Sequence, residues 1–204
     1  MISIKIFQVG YLQTNCYLIT SDKTEDAILI DVGGGYNRIS AYINEIGKKI
    51  VGVLFTHGHF DHILDAYKWQ KSGAEIYIGE DDAEMLRGEH SLAKEMGLTL
   101  PPVTPDVLLE DKQKIIFGEM IFEVLKTPGH TKGGVCYILN DKFLFSGDTL
   151  FYHSYGRTDF YGGDFAELSK SVKRILAIDG DMIVYPGHGE DTTLAEERKF
   201  NPLL

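Results

Sequence analysis

Residues 56–62 read Thr56-His57-Gly58-His59-Phe60-Asp61-His62, and this heptapeptide decides the reading of the whole chain. It sets three imidazoles and a carboxylate within six consecutive positions. Groups of that kind, packed so closely, repel one another or go unsatisfied unless something cationic sits among them. The preceding run, Ile50-Val51-Gly52-Val53-Leu54-Phe55, is apolar and of strand length. The cluster therefore falls at a strand's carboxyl end, where open α/β folds keep their sites. His57 and His59, two apart, project from one side of an extended loop. Asp61 and His62 open the next segment and face a second point, so the pattern implies two metal ions.

Three later stretches repeat the arrangement. His130 lies in Thr127-Pro128-Gly129-His130-Thr131, Asp148 in Ser146-Gly147-Asp148-Thr149, and His188 in Tyr185-Pro186-Gly187-His188-Gly189. Each follows an apolar run (Ile121–Leu125, Phe143–Phe145, Met182–Tyr185), and a glycine stands immediately before each candidate ligand. Of the seven histidines, only His90 and His153 fall outside the set. A lone His or Asp is usually a satisfied polar group, but seven candidates sharing one strand–ligand pattern are not explained that way.

From about residue 15 to residue 190 the chain resembles the metallo-β-lactamase superfamily. Within it, Asn15-Cys16-Tyr17-Leu18, Leu29-Ile30-Asp31-Val32-Gly33, Gly147-Asp148-Thr149-Leu150-Phe151 and Gly156-Arg157-Thr158-Asp159 resemble the glyoxalase II (hydroxyacylglutathione hydrolase) branch. The resemblance implies an αββα sandwich of two mixed β-sheets with helices on the outer faces. It implies one metal on His57, His59 and His130, a second on Asp61, His62 and His188, and Asp148 bridging them. Asp61 and Asp148 are the expected catalytic carboxylates. The implied activity is thioester hydrolysis, in which a hydroxide held between the metals attacks the thioester carbonyl. A thiolate leaves without needing a proton, so no general acid is required, although Tyr155 and Tyr161 are near enough in sequence to be considered. Imidazole and carboxylate ligands suit zinc, iron and manganese, with zinc the first expectation.

Other readings of the same motifs are a mononuclear iron persulfide dioxygenase and a lactone or other ester hydrolase. The chain as given ends at Leu204, so the C-terminal helical domain that holds glutathione in long glyoxalase II enzymes is expected to be missing, and Glu190 stands where those enzymes carry a tyrosine. Arg157 is the candidate to grip a substrate carboxylate; a pairing with Asp159 or Asp164 is the competing reading. Asp31, ahead of Gly33-Gly34-Gly35, is the candidate to orient a ligand histidine, or else it caps a turn.

Composition sets outer bounds. At 204 residues the chain fits one domain of two half-units, approximately 1–100 and 106–204. Hydrophobic residues at 44% and charged residues at 25% exclude a disordered chain. No apolar run reaches membrane-span length, and Met1-Ile2-Ser3-Ile4-Lys5 lacks signal-peptide form. Cys16 and Cys136 sit in apolar runs and read as buried free thiols of a reducing, cytoplasmic compartment, with a disulfide between them the lesser reading. A net charge of −10 argues against a grip on nucleic acid, and Lys48-Lys49 and Lys170 to Arg174 read as solvated helix faces. The expected partner is a small acyl-thioester, with neither membrane nor nucleic acid; the residues carry no signal of oligomeric state.

Strand-like runs fall at 2–7, 16–20, 27–31, 50–55, 75–78, 114–117, 121–125, 135–139, 143–145 and 182–185. Helices are expected near 36–46, 63–71 and 80–97, from Asp164, and at the C-terminus. Asp164 and Glu167 resemble a capping box, and Phe165, Leu168, Val172 and Ile175 stripe the helix that follows.

Overall fold

The computed structural model describes residues 1–204. The first half runs β1 (Ile2–Val9), β2 (Thr14–Ser21), β3 (Asp26–Ile30), α1 (Tyr36–Glu45), β4 (Lys49–Leu54), α2 (Phe60–Ile63), α3 (Ala66–Lys71) and β5 (Glu75–Gly79). A 3₁₀ segment, Glu80–Arg87, and β6 (Val107–Leu109) complete it. The second half runs β7 (Lys114–Phe117), β8 (Met120–Lys126), β9 (Val135–Leu139), β10 (Phe143–Gly147), β11 (Leu150–Phe151), β12 (Ser154–Tyr155), α4 (Phe165–Leu176), β13 (Ile183–Pro186), β14 (Thr192–Thr193) and α5 (Leu194–Phe200).

Two six-stranded mixed sheets result, ordered β1-β2-β3-β4-β5-β6 and β14-β13-β10-β9-β8-β7, with helices on their outer faces. Period-two alternation splits each central strand between two cores. In β2, Cys16 and Leu18 join Ile39 of α1 and Trp69 of α3, whereas Tyr17 and Ile19 point into the layer between the sheets. In β9, Cys136 and Ile138 meet Leu168, Val172 and Ile175 of α4, while Val135, Tyr137 and Leu139 face the first sheet. Strands covered on both faces read as continuous apolar runs, which is why they stand out in the sequence.

Strand direction gathers the site. β3 and β4 run parallel, so Asp31 and His57 leave the first sheet at one edge. In the second sheet β9 is antiparallel to both β8 and β10, and β13 is parallel to β10. Hence β8, β10 and β13 point the same way and release His130, Asp148 and His188 together.

Several expectations need correction. The helix expected over 80–97 is a 3₁₀ turn ending at Arg87, where Gly88 enters the left-handed region, and turns follow. The helix expected near 63–71 starts earlier and breaks between α2 and α3, where the Asp65 carboxylate accepts from Tyr36 N at 2.9 Å. Lys48 and Lys49 form no helix face: Lys48 Nζ donates to the Ser21 and Thr24 carbonyls, and Lys49 begins β4. At α4, Asp164 accepts from Glu167 N at 3.0 Å, but the Glu167 carboxylate turns to Lys170. Asp164 N instead donates to Gly129 O, tying the helix start to the His130 loop.

Candidate metal centre

The two sheet edges bring seven side chains to one point. One trio is His57, His59 and His130, and another is Asp61, His62 and His188; within each, one ligand-type atom per residue lies within 4.8 Å of the others. His59 Nδ1 faces His130 Nε2 at 3.0 Å, and His62 Nε2 faces His188 Nε2 at 3.3 Å. Asp148 stands between the trios. Its Oδ2 is 3.6 Å from both His130 Nε2 and His188 Nε2, and its Oδ1 is 3.5 Å from His62 Nε2.

The glycines before the ligands have separate reasons. At Gly147, φ is +50°, a conformation that favours residues without a Cβ, and a side chain there would overlap Thr56. A Cβ at Gly187 would overlap Asp148 Oδ1, so the His188 turn presses its backbone against the carboxylate between the trios.

Three of the histidines, His62, His130 and His188, are held from behind. The Asp31 carboxylate, 1% exposed, accepts from Thr56 N (2.9 Å), Thr56 Oγ1 (2.7 Å) and His62 Nδ1 (2.8 Å). That contact puts the proton of neutral His62 on Nδ1 and aims the Nε2 lone pair at the other ligand-type atoms. Arg157 O takes His130 Nδ1 at 2.7 Å, and Leu12 O takes His188 Nδ1 at 3.1 Å. Thr14 Oγ1 donates to Asp61 Oδ2 at 3.0 Å.

Electrostatics separates the trios. Burial, reinforced by neighbouring imidazoles, pushes His57 well below its ordinary value and His59 down to about 3. Burial would depress His62 as well, but Asp61, Asp31 and Asp148 outweigh it and raise His62 to about 10. His188 is likewise raised, burial being overcome by Asp61 and Asp148. Against burial, His62 and His188 hold the Asp61 carboxyl well below the usual range. One side thus holds His57 and His59 as neutral nitrogens, and the other is a carboxylate-rich pocket that demands positive charge. The buried His57 Nε2, His59 Nε2 and Asp148 Oδ1 have no hydrogen-bond partner. Nitrogen and carboxylate donors converging with unsatisfied atoms fit a pair of divalent cations.

The remaining candidates lie outside this cluster. The Arg157 guanidinium is on the rim, stacked 4.0 Å from the Phe160 ring centroid and paired with both Asp159 oxygens at 2.7 and 2.6 Å. Tyr155 packs on Phe165 and Tyr161 stacks on His90, while His153 pairs with Glu196. Sequence reading missed Thr14, Thr56 and Asp82. The Asp82 carboxylate, fully buried, accepts from Gly58 N (3.1 Å), Thr131 Oγ1 (2.7 Å) and Gly133 N (2.7 Å). In the polar run Glu80-Asp81-Asp82 nothing local distinguishes it from its exposed neighbours.

Residues 9–188 match the metallo-β-lactamase superfamily. The chain belongs to that superfamily. Hydroxyacylglutathione hydrolase GloC of Haemophilus influenzae is 36% identical, the match covering 99% of this chain and 98% of GloC. Among solved structures, the BLEG-1 B3 metallo-β-lactamase superposes with a TM-score of 0.90 at 32% identity, over 99% of each chain. TTHA1623 in a di-iron-bound form superposes with a TM-score of 0.88 at 34% identity, over 98% of this chain and all of the other. As a superfamily member with overlapping ligand-type groups, among them His57, His62 and Asp148 across the two trios, this protein is a metallo-hydrolase with a candidate dinuclear metal site.

Proposed function

We propose that the protein is a dinuclear thioester hydrolase of the hydroxyacylglutathione hydrolase type. The observation that carries the reading is the pair of trios with Asp148 between them; kinship with GloC along nearly the whole chain supports the substrate class. His57, His59 and His130 would hold one metal, Asp61, His62 and His188 the other, and Asp148 both. Bound there, the metals would supply a Lewis acid for the carbonyl and bring the pKa of a water to about 7. A persulfide dioxygenase uses a single iron, so the complete second trio favours the hydrolase. Zinc is the metal proposed first, with iron next because TTHA1623 has a di-iron form.

The chain's own residues orient the reaction. Asp31 fixes the proton of His62, and the Leu12 and Arg157 carbonyls fix His188 and His130, so the donor atoms are set before substrate arrives. Arg157 is proposed to bind a substrate carboxylate. Its pairing with Asp159 is exposed to solvent and therefore weak, so an incoming carboxylate replaces Asp159 at small cost. No proton donor is needed for a thiolate leaving group. The buried free thiols of Cys16 and Cys136 fit a reducing, cytoplasmic setting.

The test is hydrolysis of S-D-lactoylglutathione by metal-replete protein, followed by loss of thioester absorbance. Saturable turnover is expected. Two bound metals with no turnover on this or any smaller acyl-thioester would refute the thioesterase reading.

A further inference from the structure

We infer that Asp82 is a positioning residue for the three-histidine trio, holding the 57–59 and 130–133 loops at the separation that trio needs; the inference rests on the dinuclear reading above. Asp82 lies in the 3₁₀ segment after β5, on an element that supplies no candidate ligand. Its Oδ2 takes two donors, Gly58 N from between His57 and His59, and the hydroxyl of Thr131, next to His130. Its Oδ1 takes Gly133 N. One side chain thus joins two loops more than 70 positions apart. It makes no hydrogen bond to the second trio, whose anchors are Asp31, Thr14 and Leu12 O.

The chemistry explains why a carboxylate stands there. A buried charge is costly unless hydrogen bonds surround it, and an asparagine would fill nearly the same volume without that cost. An amide, however, offers one acceptor oxygen. Whichever way it turned, its NH₂ would meet a backbone N–H, of Gly58 or of Gly133. Only a carboxylate accepts from both backbone groups and the Thr131 hydroxyl together. The fit is close: a Cβ at Gly133 would overlap Asp82 N, and a Cβ at Gly58 would overlap Met85. The loops have no slack to take up a lost bond except by shifting His57, His59 and His130.

The test compares wild type, Asp82→Asn and Thr131→Val, each also combined with His188→Ala or with His59→Ala. Stepwise zinc dissociation constants come from chelator competition, and visible spectra are recorded on the cobalt-loaded forms. Asp82→Asn is expected to weaken one of the two zinc steps by about 10–100-fold and to change the cobalt bands. The loss should persist in the His188→Ala background and vanish in the His59→Ala background. Thr131→Val, which removes one donor at nearly constant volume, should weaken the same step by a smaller factor and carries the test if Asp82→Asn does not fold. Equal weakening of both steps, or unchanged zinc affinity with only a lower melting temperature, would overturn the inference. A wild type that takes up fewer than two zinc ions would instead overturn the dinuclear reading itself.

Discussion

Replacing Asp31 by asparagine separates charge from shape at a carboxylate that accepts three hydrogen bonds behind the site. Asp31 has φ +55°, which asparagine tolerates, and its carboxylate accepts three hydrogen bonds, two from Thr56 and one from His62. In one orientation the new amide keeps Thr56 N and turns NH₂ toward His62 Nδ1. The His62 proton must then move to Nε2, the atom proposed to face the metal. In the other orientation the oxygen keeps His62, and NH₂ confronts Thr56 N–H. A charge-assisted hydrogen bond is worth about 1.5–3 kcal/mol, and that loss appears either in metal affinity or in stability. The first orientation predicts a 10–100-fold weaker second metal, about 1.4–2.7 kcal/mol. The second predicts a metal-free protein destabilised by a similar amount. Alanine should be worse, because it adds about 1–2 kcal/mol for the left-handed backbone and orphans donors at about 1–3 kcal/mol each. Urea unfolding of metal-free protein, with zinc titration alongside, measures both parts. An Asp31→Asn protein with wild-type stability and wild-type affinity for both metals would refute the reasoning.

Other perturbations probe separate parts of the molecule. Asp148→Ala should lose metal from both sites, whereas His188→Ala should mainly empty one; metal analysis after gel filtration distinguishes them, and two metals with full activity in Asp148→Ala would remove its bridging role. Gly187→Ala places a Cβ against Asp148 Oδ1, so metal content should fall while far-UV circular dichroism stays native. Asp111 holds Arg174 through both oxygens and accepts from Lys126 N. Burial would raise its carboxyl, but Arg174 and Lys126 outweigh it and hold it below the ordinary value. Its contribution is therefore present above the unfolded pKa of about 3.9 and lost as pH falls through the lower folded value. Asp111→Asn should cost about 0.5–1 kcal/mol near pH 7, and its melting temperature should converge on wild type at strongly acidic pH.

Much of this was legible from local pattern. Central strands such as β2, β3 and β9 are buried on both faces, so they appear as apolar runs without any knowledge of their neighbours. His130, Asp148 and His188 stand behind glycines at the ends of apolar runs, and the 57–62 cluster follows the apolar run of β4, which marks them without knowledge of their neighbours. Elements that depend on distant contacts were not legible. β6 follows a proline-rich stretch and pairs only through β5; β11, β12 and β14 are two residues long, too short for any period to show. The 80–97 stretch has helical composition, but its first turns are 3₁₀ and Gly88 ends them.

The same division holds at the site. Chemical type and spacing along the chain, which are local properties, mark His57, His59, Asp61, His62, His130, Asp148 and His188 and imply two metals. Asp31 was legible as a candidate to stand behind a histidine, and it contacts His62; the other supports were decided by tertiary structure alone. Arg157 was legible as a cation near the site, yet its guanidinium turns to Asp159 while its carbonyl, a group every residue has, holds His130. Asp82 and its exposed neighbour Asp81 are the same residue type in the same polar run. What separates them is which side of a short 3₁₀ turn meets the 57–59 and 130–133 loops, and that contact exists only after the two sheets have closed on each other.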